Sequence, residues 1–165
     1  MKILVCDQLQ EVVLNQLIEL GEITDISSSS NKHEELLKHI IEAEIVVIRS
    51  ATTLTKEILE HAKKIKIIAR CGVGIDNVDI EFAKSREIFV TNAPTANLIS
   101  LVEHTIGLIL STARKIHESN VSTKSGKWEK SKFVGLELHQ KQLGIIGFGK
   151  AGKLLSERLK SFGMK

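Results

Sequence analysis

Ile45-Val46-Val47-Ile48 is the stretch that decides the fold. Four consecutive apolar residues, all β-branched, leave no polar side, as in a parallel strand buried on both faces. Downstream, Thr55 to Lys63 reads as a helix capped by Thr55, and Ile65 to Ala69 as the next strand. A glycine loop follows, then Asp79 caps a short helix to Ser85, and Ile88 to Thr91 is a further strand. Upstream, Lys32 to Glu42 is a helix with Leu36, Leu37, Ile40 and Ile41 on one face. Before it come the Ser27 to Ser30 loop, a strand at Glu22 to Ile26, and an amphipathic helix at Gln10 to Leu20 that stops at Gly21. Lys2 to Cys6 is the first strand. This alternation specifies an α/β fold, because right-handed crossovers place successive strands in one parallel sheet with helices on both faces. The expected order is the flavodoxin-like 2-1-3-4-5, with Val47 and Ile68 in adjacent central strands.

The rhythm then changes. Ala93 to Asn97 is a loop holding the chain's one proline, Pro94, and Ser100 to Ile116 is a long helix apolar round most of its circumference. Such a helix is expected to be buried on several sides, between domains or subunits. A polar arm, Glu118 to Lys132, carries the sole Trp128 amid Lys124, Lys127, Lys130 and Lys132. Gln142 to Ile146 reads as a strand, after which Gly147-Phe148-Gly149-Lys150-Ala151-Gly152 opens a helix ending near Gly163. Residues 1–97 are therefore expected to form one domain. Residues 98–165 are expected to hold a connecting helix, an arm and the opening β-α unit of a second domain. One β-α unit cannot complete a sheet, so the chain is expected to be truncated.

Composition limits the function classes. The 165 residues are 42% apolar and 26% charged, with five Phe, one Trp and no Tyr, so aliphatic side chains must build the core. A net charge of +3 provides no concentrated basic face, and no nucleic-acid partner is expected. Cys6 and Cys71 lie far apart without metal-ligand spacing, so no metal is expected and a reducing, cytoplasmic setting is. No apolar run has membrane-spanning length.

Two segments carry chemistry. Gly147, Gly149 and Gly152 have G-x-G-x-x-G spacing between an expected strand and an expected helix, the context in which this motif binds the pyrophosphate of a dinucleotide. The helix opening there offers free N–H groups and a positive dipole end. The second segment, Arg70-Cys71-Gly72-Val73-Gly74-Ile75-Asp76-Asn77-Val78-Asp79, lies at a strand's C-terminal end, where open parallel sheets bind ligands. Gly72 and Gly74 allow backbone N–H groups to turn toward an anion, and Arg70 adds a two-pronged contact for a carboxylate. The alternative is a plain glycine turn, with Asp76 and Asn77 bonding their own backbone. Arg49, at the end of the preceding strand, favours a site for a ligand with more than one negative charge.

Ile48 to Thr52, Ala69 to Asp79, Asn92 to Asn97, Val102 to Thr105 and Leu143 to Gly149 together resemble the D-2-hydroxyacid dehydrogenases, and among them the phosphoglycerate dehydrogenases, in order and spacing. That resemblance implies a substrate-binding domain followed by the start of a Rossmann NAD-binding domain. It implies a homodimer or higher oligomer through residues 100–132, and reversible hydride transfer between NAD and C2 of a D-2-hydroxy acid, 3-phosphoglycerate at the entry to serine biosynthesis. It further implies that Arg49, Arg70, Gly72, Val73 and Gly74 hold substrate, with Val73 also against the nicotinamide. Gly147, Gly149, Lys150, Ala151 and Gly152 lie at the pyrophosphate by the same resemblance. The family's catalytic arginine, glutamate and histidine are assigned to none of these residues, so the isolated chain is expected to be inactive. Glu103 and His104 are not a relay, because helix neighbours point about 100° apart. The other five histidines read as surface residues, Cys71 as unreactive, and the lysine-rich arm as solvated or packed on a second subunit. Other readings are a related dehydrogenase acting on glycerate, glyoxylate or lactate, a non-catalytic NAD-sensing regulator resembling corepressors, and a small anion-binding module.

Overall fold

The computed structural model describes residues 1–165, which divide into two compact units, Met1–Ala96 and Asn97–Lys165. In the first unit the chain alternates β1 (Lys2–Val5), α1 (Glu11–Ile18), β2 (Glu22–Asp25), α2 (Lys32–Ile40), β3 (Ile45–Ile48), α3 (Lys56–His61), β4 (Ile67–Arg70), α4 (Ile80–Ser85) and β5 (Phe89–Asn92). The five strands form one parallel sheet in the order β2-β1-β3-β4-β5, the expected flavodoxin-like arrangement. Val46 pairs with Ile68 and Ile48 with Arg70, so β3 and β4 are central neighbours.

Strand alternation divides the core into two layers. Leu4, Cys6, Val46, Ile48 and Ile68 join Leu36 and Ile40 of α2, Ile58 and Leu59 of α3, and Ala83 of α4 in the larger layer. Ile3, Val5 and Val47 point the other way, against Leu14 and Leu17 of α1. Ile45-Val46-Val47-Ile48 is thus packed from both sides, and full burial of each such side chain stabilises the fold by about 1.5–3 kcal/mol. Thr55 and Asp79 cap α3 and α4 as expected, accepting from the amides of Ile58 (3.5 Å) and Phe82 (2.9 Å).

The second unit contains α5 (Leu98–Ala113), α6 (Ile116–Lys124), a 3-10 turn (Lys130–Phe133) and α7 (Lys150–Lys160). Three expectations differ here. The long helix stops at Ala113, because Lys115 adopts a left-handed conformation (φ 52°) that turns the chain into α6. The first half of the polar arm is therefore helical, and Ser122 donates to Glu129 (2.9 Å) to fold the remainder back. In the single chain Val102 is the one buried residue of α5, and Ile99, Leu101 and Leu108 are exposed. Gln142 to Ile146 is not a ladder strand. A strand exists through its partners, and this segment has only Lys165, which donates to Lys141 O (2.9 Å) and accepts from Leu143 N (2.7 Å) in the parallel pattern. No helix is long and apolar enough to cross a membrane.

Candidate functional site

A parallel sheet delivers all its strand C-termini to one rim, where ligands of such folds bind. Here the rim receives Asp7 just after β1, Arg49 just after β3, Arg70 ending β4 and Asn92 ending β5. Asp7 is buried and acts as a hub. Its carboxylate accepts from the Arg49 amide (2.6 Å), the Thr52 amide (3.2 Å) and the Thr52 hydroxyl (2.8 Å), and pairs with Lys32. Burial alone would raise its pKa. The hydrogen bonds from Lys32, Arg49 and Thr52 outweigh burial and hold the carboxyl below its ordinary value.

Strand alternation starts Arg49 and Arg70 toward opposite faces, and both side chains reach the rim. Arg49 is exposed and donates from Nη1 to Gln8 O (3.2 Å). Arg70 lies along the glycine loop: a Cβ placed on Gly72 would stand 2.0 Å from its Nη1. Its Nε is buried without a partner, an unused donor at the rim. The Cys71 thiol lies within electrostatic reach of both cations. Burial pushes it up, while Arg49 and Arg70 each pull it back.

The loop that follows Arg70 turns its carbonyls aside and leaves amides free. Gly72 O accepts from Ala93 N (2.8 Å) and Val73 O from Asn92 Nδ2 (2.5 Å), so both carbonyls are drawn toward β5. The amides of Val73, Gly74 and Ile75 donate to nothing in the chain. Free N–H groups, carbonyls turned away and an unspent guanidinium suit a carboxylate or phosphate oxygen. Asn77 does not bond its own backbone. It reaches across to Arg49 O (2.7 Å) and Thr52 O (2.6 Å). Asp7, Asn77 and Asn92 were not among the expected site residues, and Asp7 carried the one available signal, a lone carboxylate directly after an apolar strand.

The second glycine segment belongs to the other unit. Gly147 has φ +89°, a conformation costly for any residue with a Cβ. A Cβ at Gly152 would press on Gly147 O at 2.6 Å, so helix and turn touch there. At Gly149, the N-cap of α7, a Cβ would meet nothing within 4 Å, and no side chain caps the helix. The space beside Gly149 and the first amides of α7, from Lys150, Ala151 and Gly152, fit a pyrophosphate.

His33, His61, His104, His117 and His139 are exposed and His39 is half-buried. Glu103 pairs with Arg158 (3.4 Å) and not with His104. No three His, Cys, Asp or Glu side chains cluster as metal ligands would. An apolar cleft of about 540 Å³ between α2 and α3, lined by Leu36, Leu37 and Ile58, contains neither arginine.

A flavodoxin-like sheet with two arginines at its C-terminal rim, followed by a glycine turn with G-x-G-x-x-G spacing, points to one class of protein. Residues 3–154 match the family described as D-isomer specific 2-hydroxyacid dehydrogenase, catalytic domain, and the chain belongs to that family. It is 45% identical over 163 residues to D-3-phosphoglycerate dehydrogenase of Methanocaldococcus jannaschii, a match covering 99% of this chain and 31% of that protein. Over 150 residues it is 45% identical to hydroxypyruvate reductase of Thermotoga maritima, covering 91% of this chain and 49% of the other. Among solved structures, the NAD-dependent formate dehydrogenase of Staphylococcus aureus in complex with NAD has a TM-score of 0.84 at 26% identity, covering 100% of this chain and 55% of that one. The chain spans about a third of the length of the phosphoglycerate dehydrogenase and half that of the reductase.

Proposed function

We propose that this chain is the N-terminal part of an NAD-dependent D-3-phosphoglycerate dehydrogenase, oxidising 3-phosphoglycerate to 3-phosphohydroxypyruvate for serine biosynthesis in the cytoplasm. In this reading residues 1–97 form the substrate-binding domain, and residues 98–165 hold the connecting helix, the arm and the start of the NAD-binding domain. The carrying observation is the rim itself: Arg70 lies along a glycine loop with three free amides, and Arg49 follows the end of the neighbouring strand. Gly72, Val73 and Gly74 with Arg70 receive the carboxylate, and Arg49 supplies the further cation that a phosphate dianion requires. Val73 also lies against the nicotinamide. Gly147, Gly149, Lys150, Ala151 and Gly152 hold the pyrophosphate, and NAD when bound supplies the acceptor for the hydride from C2.

The chain's own residues bind and orient, and the family's acid–base histidine is assigned to none of them. Purified chain is expected to form no NADH from 3-phosphoglycerate, since loss of acid–base catalysis alone removes about 10²–10⁴-fold of rate. The exposed apolar residues of α5, Ile99, Leu101 and Leu108, support a homodimer through residues 100–132.

A second reading has equal sequence identity behind it, in the hydroxypyruvate reductase of Thermotoga maritima. Arg49 discriminates between them. In the full-length enzyme, Arg49→Gln should raise KM for 3-phosphoglycerate by about one to two orders of magnitude, roughly 1.5–3 kcal/mol, the worth of a charge-assisted hydrogen bond. KM for hydroxypyruvate or lactate should barely change. Equal losses on phosphorylated and unphosphorylated substrates would make Arg49 structural. A wild type that prefers an unphosphorylated acid would reject 3-phosphoglycerate and leave the dehydrogenase family standing.

A further inference from the structure

We infer that Asn77 is a positioning residue that fixes the Arg49 turn relative to the glycine loop that follows Arg70; this rests on the anion-site reading given above. Arg49 opens the connection from β3 to α3, whereas Arg70 ends β4, in register with Ile48; after Cys71 N donates to Ile48 O (2.8 Å), no regular ladder joins the two connections that follow. What joins them centres on Asn77. Its backbone carbonyl accepts from Leu54 N (2.8 Å), and Asp79 N donates back to Leu54 O (2.9 Å), forming an isolated parallel bridge between Leu54 and Val78. Its side chain is buried, and both amide hydrogens are used, on Arg49 O (2.7 Å) and Thr52 O (2.6 Å).

The orientation of that amide has one solution. A flip would set Oδ1 against two carbonyl oxygens, and as placed Oδ1 is buried with no donor. A buried acceptor left unpaired is destabilising, so the side chain is held by its two donations alone. Asp7 completes the grip from the β1 side, taking the amides of the same two residues, Arg49 and Thr52. The Arg49–Thr52 turn is therefore clamped by Asp7 through its N–H groups and by Asn77 through its carbonyls. Only the Asn77 clamp reaches the loop that follows Arg70. Loosening it frees the Arg49 turn relative to the glycine loop along which the Arg70 guanidinium lies, while leaving every charge in place.

The test is steady-state kinetics of the full-length enzyme as wild type, Asn77→Ala, Asn77→Ser, Arg49→Gln and the Arg49→Gln/Asn77→Ala double variant, each with its melting temperature. Asn77→Ala should raise KM for 3-phosphoglycerate tenfold or more, with kcat within threefold and KM for NAD within twofold. Asn77→Ser keeps one donor and should fall between, so the position stays testable if the alanine variant folds poorly. In the Arg49→Gln background the Asn77 substitution should add little, because the cation it places is gone. Equal changes in the KM for NAD and for substrate, or an effect as large with Arg49 as without it, would overturn the inference. If the wild type does not oxidise 3-phosphoglycerate, the substrate reading falls alone. Calorimetric titration of inorganic phosphate into the same five proteins then decides: a tenfold weakening by Asn77→Ala that vanishes with Arg49→Gln supports the positioning role. Unchanged or undetectable phosphate binding rejects it.

Discussion

At Gly72 the space a side chain would take is occupied by the Arg70 guanidinium, 2.0 Å from the position a Cβ would hold. The obstacle is the far end of a flexible side chain, so Gly72→Ala should move Arg70 and not the backbone. The expected result is a melting temperature within about 3 °C of wild type, a shift worth less than 1 kcal/mol, together with a several-fold loss of anion affinity, read by calorimetry and thermal melting on the same protein. Asp7 gives the opposite pattern. Its substitution by Ala strips the acceptor from two amides and should cost about 1–3 kcal/mol for each group left unpaired. Because the folded carboxyl titrates below its ordinary value of 3.8, its contribution is complete above that value and is lost as pH falls through the lower folded value. Thermal melts across the acid range should show a shallower loss of stability for Asp7→Asn than for wild type. A parallel pair of curves would remove Asp7 from the acid limb. The arginines and glycines of the rim were legible as residue types that bind anions. The roles of Asp7 and Asn77 were not, since each acts on a loop 25 or more positions away, a relation that strand order creates.

At the scale of elements, apolar runs located the first five strands to within two or three residues, because burial on both faces leaves so plain a pattern. The α4 cap was legible for a similar reason: Asp79 precedes a short helix and accepts from Phe82 N at 2.9 Å. Asp79→Ala should lower stability by about 1 kcal/mol, and Asp79→Ser should retain most of it, measured by urea unfolding. What periodicity could not show was the break at Lys115, where a residue with no glycine-like freedom takes φ 52° and its ammonium meets Lys132 O at 3.3 Å. The segment Gln142 to Ile146 has the composition of a strand and lacks the ladder, because composition does not supply partners. The turn after it is tight in a way that can be tested. Gly152→Ala must displace the Gly147 carbonyl, a backbone atom, and the overpacking should cost about 1–3 kcal/mol. A stability change below a few tenths would show that helix and turn are not in the contact described.

For the whole molecule, the first unit encloses both core layers. A polypeptide of residues 1–96 is expected to melt cooperatively and to keep dispersed amide resonances. A molten spectrum would show that the sheet needs the rest of the chain. The second unit carries its apolar surface outward on α5. In the proposed homodimer, Leu101→Lys combined with Leu108→Lys should shift the chain from dimer to monomer in analytical ultracentrifugation. A wild type already monomeric at high micromolar concentration would remove that helix from any self-association.

The two cysteines differ enough to serve as an instrument. Cys6 is sealed in the core and, chiefly through burial and then the neighbouring Asp7 charge, its thiol is pushed up to about 12. Cys71 is exposed at the rim, between the charges expected to meet the ligand. A maleimide dye applied under native conditions should therefore attach at one position without any mutagenesis. Its emission would then report, in real time and without turnover, when the rim fills and empties.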